Sequence, residues 1–113
     1  NPFFNSTGAD LVDFPDIEPS FVGGEDAMNA FIEQEMRPIA DQSETHQGGT
    51  VFIEAIVEKD GSISNSRVAL GIDSQHDDEA MRITKAMPMW KPASVGGQLV
   101  RSRCIIPVSF DRK

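Results

Sequence analysis

The sequence predicts an α+β domain in which two helices pack on one face of a small, about three-stranded antiparallel sheet. Three observations support this fold class: two apolar stripes with helical spacing, two alternating segments joined by an Asp-Gly turn, and one further alternating segment near the end of the chain. A chain of 113 residues has the length of one domain. We expect residues 1–19 to be an extended arm and residues 20–113 to be the domain. Whether the arm packs Phe14 or Ile17 onto the domain is left open.

Two segments have the spacing and the end signals of amphipathic helices. The first follows a Gly-Gly pair at 23–24, carries acidic residues in its first turn and ends before Pro38. The second ends before Pro88, and its Arg82 and Lys85 are expected to point to water. We interpret the two apolar stripes as core faces. They consist of Met28, Phe31, Ile32 and Met36 in the first helix and of Ala80, Ile83, Thr84 and Met87 in the second.

A β-hairpin is the clearest local prediction. Residues 51–58 alternate between a wholly apolar face and a mixed face, and Asp60-Gly61 supplies the tight turn. The return strand carries Ile63 and Val68, which differ in parity. We therefore expect a β-bulge or a local twist between these two residues.

The last alternating segment is predicted to be an edge strand. It follows a joint in which Trp90 stands between two prolines, and we interpret Trp90 as a core anchor in preference to a ligand platform. Pro107 cannot donate a backbone hydrogen bond, which disfavours a central position in a sheet. Arg101 and Arg103 fall on the outward face of the strand, where they either meet an acidic peptide or only discourage aggregation. An edge strand can accept a strand from another chain. The predicted partner-binding residues are Val100, Arg101, Ser102, Arg103, Cys104, Ile105 and Ile106.

Composition and isolated residues argue against other functional classes. The net charge of −8 disfavours nucleic acid, which needs clustered cations. Cys104 is the only cysteine, so an internal disulfide and a thiolate zinc cluster are excluded; its inward parity predicts a buried, unreactive thiol. His76 lies among acids at a helix start, which we interpret as a solvated N-terminus and not as a metal site. We expect no catalytic residue, no metal and no cofactor.

The ends of the chain carry two further expectations. No apolar run approaches the length needed to cross a bilayer. The sequence does not begin with Met and has no start that resembles a signal peptide. We therefore expect it to be a piece of a longer or processed protein, with any membrane segment lying outside it.

Four segments occur in the order and spacing of a known family. They are PSFVGGEDAMNAFI from Pro19, VEKDGSISNSRVALGID from Val57, DDEAMRITKAMPMWKPA from Asp77 and GGQLVRSRCIIPVSF from Gly96. Together, over about residues 18–110, they resemble the C-terminal domain of TonB in the form common in Bacteroidetes. The most specific parts are the Asp-Gly hairpin, the Met-Pro-x-Trp-Lys-Pro joint and the closing Ile-Pro-Val-x-Phe.

The resemblance implies energy transduction without catalysis. A TonB-type protein is anchored in the inner membrane by an N-terminal helix, where it couples to ExbB and ExbD, and its C-terminal domain works in the periplasm. This domain binds the TonB box, a short segment of outer-membrane transporters, by β-strand addition, and thereby supports uptake driven by the proton-motive force. Carried over to this chain, the pairing strand is residues 100–106. Contacts with ExbB and ExbD would involve the missing N-terminal region, and homodimer formation is left open.

The sequence also departs from the family. Where the family often has Tyr-Pro after the first helix, this chain has Arg37-Pro38, so any contribution of that Tyr is absent or replaced. The acidic balance contrasts with the basic character of many TonB domains. The alternative function is a TonB-like sensory or regulatory domain appended to another inner-membrane protein, such as an antibiotic-sensor metalloprotease.

Overall fold

The computed structural model describes residues 11–37 and 49–110. Two helices and five strands follow one another along this part of the chain. They are β1 (Leu11–Val12), α1 (Gly24–Glu35), β2 (Thr50–Val57), β3 (Ile63–Leu70), α2 (Ser74–Lys85), β4 (Ala93–Val95) and β5 (Gln98–Ser109). The predicted α+β class and both predicted helices are confirmed. Pro38, His46 and the polar loop around it lie outside the described residues.

The sheet is mixed and five-stranded, so the prediction of about three antiparallel strands is wrong in number and direction. Its order is β1-β5-β2-β3, and β4 pairs with β5. β2 runs antiparallel to both β3 and β5, as predicted, but β1 pairs parallel with β5. β1 comes from the expected arm and β4 from the expected loop. Segments of two or three residues are too short to show a period, and their pairing partner decides their conformation.

The hairpin has the predicted turn and the predicted bulge. The Asp60 carboxylate accepts hydrogen bonds from the backbone N–H and the hydroxyl of Ser62, at 2.9 and 2.7 Å, and Gly61 adopts φ +92°. The pairing register between β2 and β3 shifts between Glu54 and Ile56. On β3 the extra residue falls around Asn65, whose φ of +49° is the left-handed conformation found in one class of bulge.

The core lies between the two helices and one face of the sheet. Alternate residues of β2 are buried, which confirms the apolar face predicted from the sequence. These residues pack against Met28 and Ile32 of α1 and Ile83 of α2. Thr84 is also buried, and its hydroxyl donates to the carbonyl of Ala80 at 2.9 Å. Because Met28 and Ile32 lie on one helix stripe, the helices bury the faces that the spacing predicted.

Two side chains of α2 behave differently from the sequence prediction. Arg82 does not simply point to water: its guanidinium donates to the Glu79 carboxylate at 3.0 and 2.8 Å and to the carbonyl of Glu35 at 2.5 Å, which ties α2 to the end of α1. His76 is only 8% exposed, so the prediction of a solvated position is wrong for it. Its ring packs edge-on against Phe110, with centroids 4.8 Å apart.

Candidate strand-binding edge

The backbone groups of β5 alternate between two sides of the strand. On the inner side, β2 pairs with residues 102–109, and the N–H of Phe110 donates to the carbonyl of Gly49 at 2.8 Å in line with this ladder. Because successive residues of a strand turn their backbone groups to opposite sides, Cys104 and Ile106 face β2, as Phe110 does. The groups of Arg101, Arg103, Ile105 and Pro107 therefore face away from β2, and we call this side the outer edge.

Among the described residues, strands other than β2 pair with the first part of β5. β4 pairs with residues 98–100, and β1 pairs with Arg101 and Ser102. Beyond Ser102, no strand of the described residues pairs with the outer edge. Pro107 lies on this side, so its missing N–H interrupts no bond to β2. The predicted site at residues 100–106 thus divides into a paired start and an open end; its role in binding stays a prediction.

A groove runs beside the open part of the outer edge. It has a volume of about 380 Å³. One wall is formed by the segment before α1 and by the start of that helix, including Phe21 and Met28, and the other by β5, including Cys104, Ile105 and Pro107. Ile105 is 53% exposed. The groove lining combines apolar with charged side chains, and it lies next to backbone groups that no described strand pairs with; these are the two elements that a strand-addition site needs.

Trp90 lines this groove and also anchors the joint between α2 and β4. It is 6% exposed, and its ring meets that of Phe21 edge to face, with centroids 5.8 Å apart and an interplanar angle of 81°. Its backbone N–H donates to the carbonyl of Gly61 at 2.8 Å. The interpretation as a core anchor is therefore confirmed. Its indole Nε1 is buried without a hydrogen-bond acceptor among the described residues.

The two arginines at the start of the outer edge are both engaged within the chain. The guanidinium of Arg101 donates two hydrogen bonds to the carboxylate of Glu58, at 2.6 and 3.1 Å, which lowers the pKa of Glu58. Arg103 lies 2.8 Å from a carboxylate oxygen of Asp13 and 3.6 Å from one of Glu54. The pair with Asp13 is exposed on both sides. Arg103 is therefore the arginine that can change partners at a small energetic cost.

The described residues contain neither a reactive thiol nor a cluster of metal ligands. Burial, and secondarily the charge of Glu54, raises the pKa of the Cys104 thiol to about 12, which makes it a poor nucleophile. Across residues 11–37 and 49–110, the acidic, Cys and His side chains form no cluster suited to a metal ion. Neither helix in these ranges is long and apolar enough to span a membrane.

The described residues form an α+β domain with a partly open sheet edge on β5 and a groove beside that edge. The family of the C-terminal domain of the Gram-negative bacterial TonB protein matches residues 40–111, which is more than half of the chain. The chain belongs to this family, whose members are periplasmic, non-enzymatic interaction domains that contact outer-membrane transporters. A comparison with curated proteins gave no match.

Sequence reasoning missed two parts of this site. It placed the binding strand at the edge from the position of Pro107, but it did not find β1 beside Arg101 or the wall that Phe21 contributes. The only available signal for β1 was the pair Leu11 and Val12 between acids in the arm. Pairing across about 90 positions of sequence leaves no local pattern that identifies the partner strand.

Proposed function

We propose that this domain binds the TonB box of an outer-membrane transporter by adding it as a strand to the outer edge of β5, along residues 103–107. The observation that carries this proposal is the open edge beyond Ser102 with the groove beside it. In the full-length protein, an N-terminal anchor in the inner membrane and contacts with ExbB and ExbD would deliver the energy of the proton gradient. The domain itself would bind the transporter.

Backbone hydrogen bonds would supply most of the affinity. Ile105 offers both an N–H and a carbonyl to an added strand, whereas Pro107 offers only a carbonyl. A strand added at the usual spacing of about 4.8 Å from β5 lies in the groove. Its alternate side chains would then face Phe21 and Met28, which line the opposite wall. Selection of the partner therefore depends on its apolar side chains at every second position.

A pair of substitutions at Ile105 tests the role of the backbone. Ile105→Pro removes an N–H that faces away from β2, so the internal ladder keeps all its bonds. Ile105→Ala removes most of the same side chain and keeps the N–H, and so it is the matched control. We expect Ile105→Pro to weaken binding of a synthetic TonB-box peptide at least about tenfold, through a lost hydrogen bond and a ring in the path of the partner. Ile105→Ala should weaken binding less than about threefold.

Isothermal titration calorimetry measures both affinities, and circular dichroism confirms that both variants are folded. Equal affinities for the two variants would contradict strand addition at this edge. The alternative, a sensory domain attached to another inner-membrane protein, is compatible with the same edge, and no feature of residues 11–37 and 49–110 favours it.

A further inference from the structure

β1 lies where a partner strand that extended along the outer edge would have to lie. Leu11 is paired with Arg101 and Val12 with Ser102, and the Ser102 hydroxyl donates to the carbonyl of Val12 at 2.8 Å. The direction of this strand is parallel to β5. Within the described residues β1 has 2 residues, whereas β2, which lies beside β5 on its inner side, has 8.

The ion pair next to β1 is exposed to solvent, whereas the hydrogen bond between Ser102 and Val12 is partly buried. Asp13 follows the strand and forms an ion pair with Arg103 at 2.8 Å, with side chains that are 56% and 47% exposed. Exposed ion pairs contribute little to stability because water and salt screen them. Parallel pairing of two residues adds only a few hydrogen bonds, each with a modest net contribution. The free energy that keeps β1 on the outer edge is therefore small.

The rest of the arm is fastened elsewhere, so β1 can leave without releasing it. Ile17 and Ser94 exchange two backbone hydrogen bonds at 3.1 Å, and Ser20 and Lys91 exchange two more at 3.0 and 2.8 Å. The Asp16 carboxylate accepts a hydrogen bond from the N–H of Gly96 at 2.8 Å. These contacts lie along β4 and its turn and do not involve the outer edge of β5.

We propose that β1 is a displaceable cover on the partner-binding edge: a bound partner strand replaces Leu11 and Val12 beside β5, and an acidic side chain of that partner replaces Asp13 at Arg103. The proposal rests on the proposed strand-addition function and names how that site is regulated. With β1 in place, Val12 pairs with the outward backbone groups that flank Ser102, on Arg101 and Arg103; with β1 displaced, both residues become open to a partner strand. The observed affinity equals the affinity of the uncovered edge multiplied by the fraction of molecules in which β1 is unpaired.

Two carboxylates of the arm provide a matched pair of variants in the full chain. Asp13→Asn removes the ion pair with Arg103, and Asp16→Asn removes the same charge three residues away without touching β5. We expect the Asp13→Asn variant to bind a TonB-box peptide about two- to fivefold more tightly than wild type, with the increase arising from loss of the cover. Asp16→Asn should bind within about 1.5-fold of wild type.

A third variant, Val12→Pro, removes a backbone donor from β1 and does not alter charge. It should bind the peptide at least as tightly as Asp13→Asn does. Titration calorimetry gives the affinities. Two-dimensional 15N NMR of the wild-type domain follows the amides of Leu11 and Val12, which should move to the positions of an unstructured chain as the peptide saturates.

The outcomes separate this inference from the function on which it rests. If the peptide perturbs Ile105 while the amides of Leu11 and Val12 keep their positions, the partner binds beside β1 and the inference is wrong. The same holds if Asp13→Asn binds no more tightly than Asp16→Asn. If the peptide does not bind near Ile105 at all, the proposed function fails, and the inference fails with it.

Discussion

Gly61 packs closely against the backbone of Trp90, in the joint between α2 and β4. Replacement of Gly61 by Ala should therefore destabilise the fold strongly. Its φ is +92°, and a Cβ at this position would overlap the carbonyl oxygen of Trp90. The Gly61 carbonyl also accepts the N–H of Trp90 at 2.8 Å. Gly97, in the β4–β5 turn, is the matched control because it has φ +83° but no neighbour within 4 Å of the point that a Cβ would occupy.

The two positions separate the cost of backbone conformation from the cost of the contact. An Ala in left-handed geometry costs about 1–2 kcal/mol at either position. At Gly61, displacement of the Trp90 backbone adds about 1–3 kcal/mol of overpacking and about 0.5–1.5 kcal/mol for the strained hydrogen bond. The Gly61→Ala variant should therefore be about 1.5–4.5 kcal/mol less stable than the Gly97→Ala variant.

Thermal unfolding followed by circular dichroism measures this difference. At about 4 °C per kcal/mol for a domain of this size, the Gly61→Ala variant should melt about 6–18 °C below the Gly97→Ala variant. Urea unfolding gives the free energies directly. If the two variants melt within about 2 °C of each other, the close approach of Gly61 to Trp90 does not hold the joint.

Three further predictions concern charge and reactivity. Because Arg101 lowers the pKa of Glu58, the stability from this pair is present above pH 4.5, the ordinary value, and is lost as the pH falls through the lowered pKa; Glu58→Gln should cost about 1 kcal/mol at pH 7 and progressively less as the pH falls below 4.5, measured by urea unfolding. Cys104, which is half-buried and has a thiol pKa of about 12, should resist Ellman's reagent at pH 8 until urea unfolds the domain, and rapid native labelling would contradict the raised pKa. Arg82→Ala should lower the urea midpoint clearly through lost contacts between the helices, whereas the exposed Lys85→Ala should leave it nearly unchanged; equal losses would refute the bridging role.

Features with a strong local signal could be predicted from the sequence. The alternation in β2 and the Asp60-Gly61 turn each fix a conformation through neighbouring residues, and the structure agrees with both. The parity change between Ile63 and Val68 likewise predicted the bulge that Asn65 adopts. In these places a few adjacent side chains decide the backbone.

Features that depend on distant partners could not be predicted. Leu11 and Val12 form a strand only because β5 accepts them, and three residues make β4 only because a Gly-Gly turn folds them onto the same strand. His76 is buried because Phe110, which lies 34 positions away, covers its ring. Arg82 likewise reaches Glu35, a residue of the other helix. In each case the deciding contact is absent from the local sequence.

The candidate site shows the same division. Pro107 predicted an edge strand, but the sheet order places β5 between β1 and β2, and only the part of β5 beyond Ser102 has no outer partner strand among the described residues. The extent of that edge depends on β1, so the sequence could not show that the pairing groups near Arg101 are already in use. The groove wall at Phe21 and Met28 follows from how the arm and α1 pass β5, which is a tertiary feature.

Amide hydrogen exchange at Ile105 is the most direct test of strand addition to β5. Its N–H faces away from β2, whereas the N–H of Ile106 faces β2 and serves as an internal control in the same molecule. In the free domain, Ile105 should exchange much faster than Ile106. With a saturating TonB-box peptide, we expect Ile105 to become protected while Ile106 changes little. A bound peptide that leaves the exchange of Ile105 unchanged would contradict the proposed function.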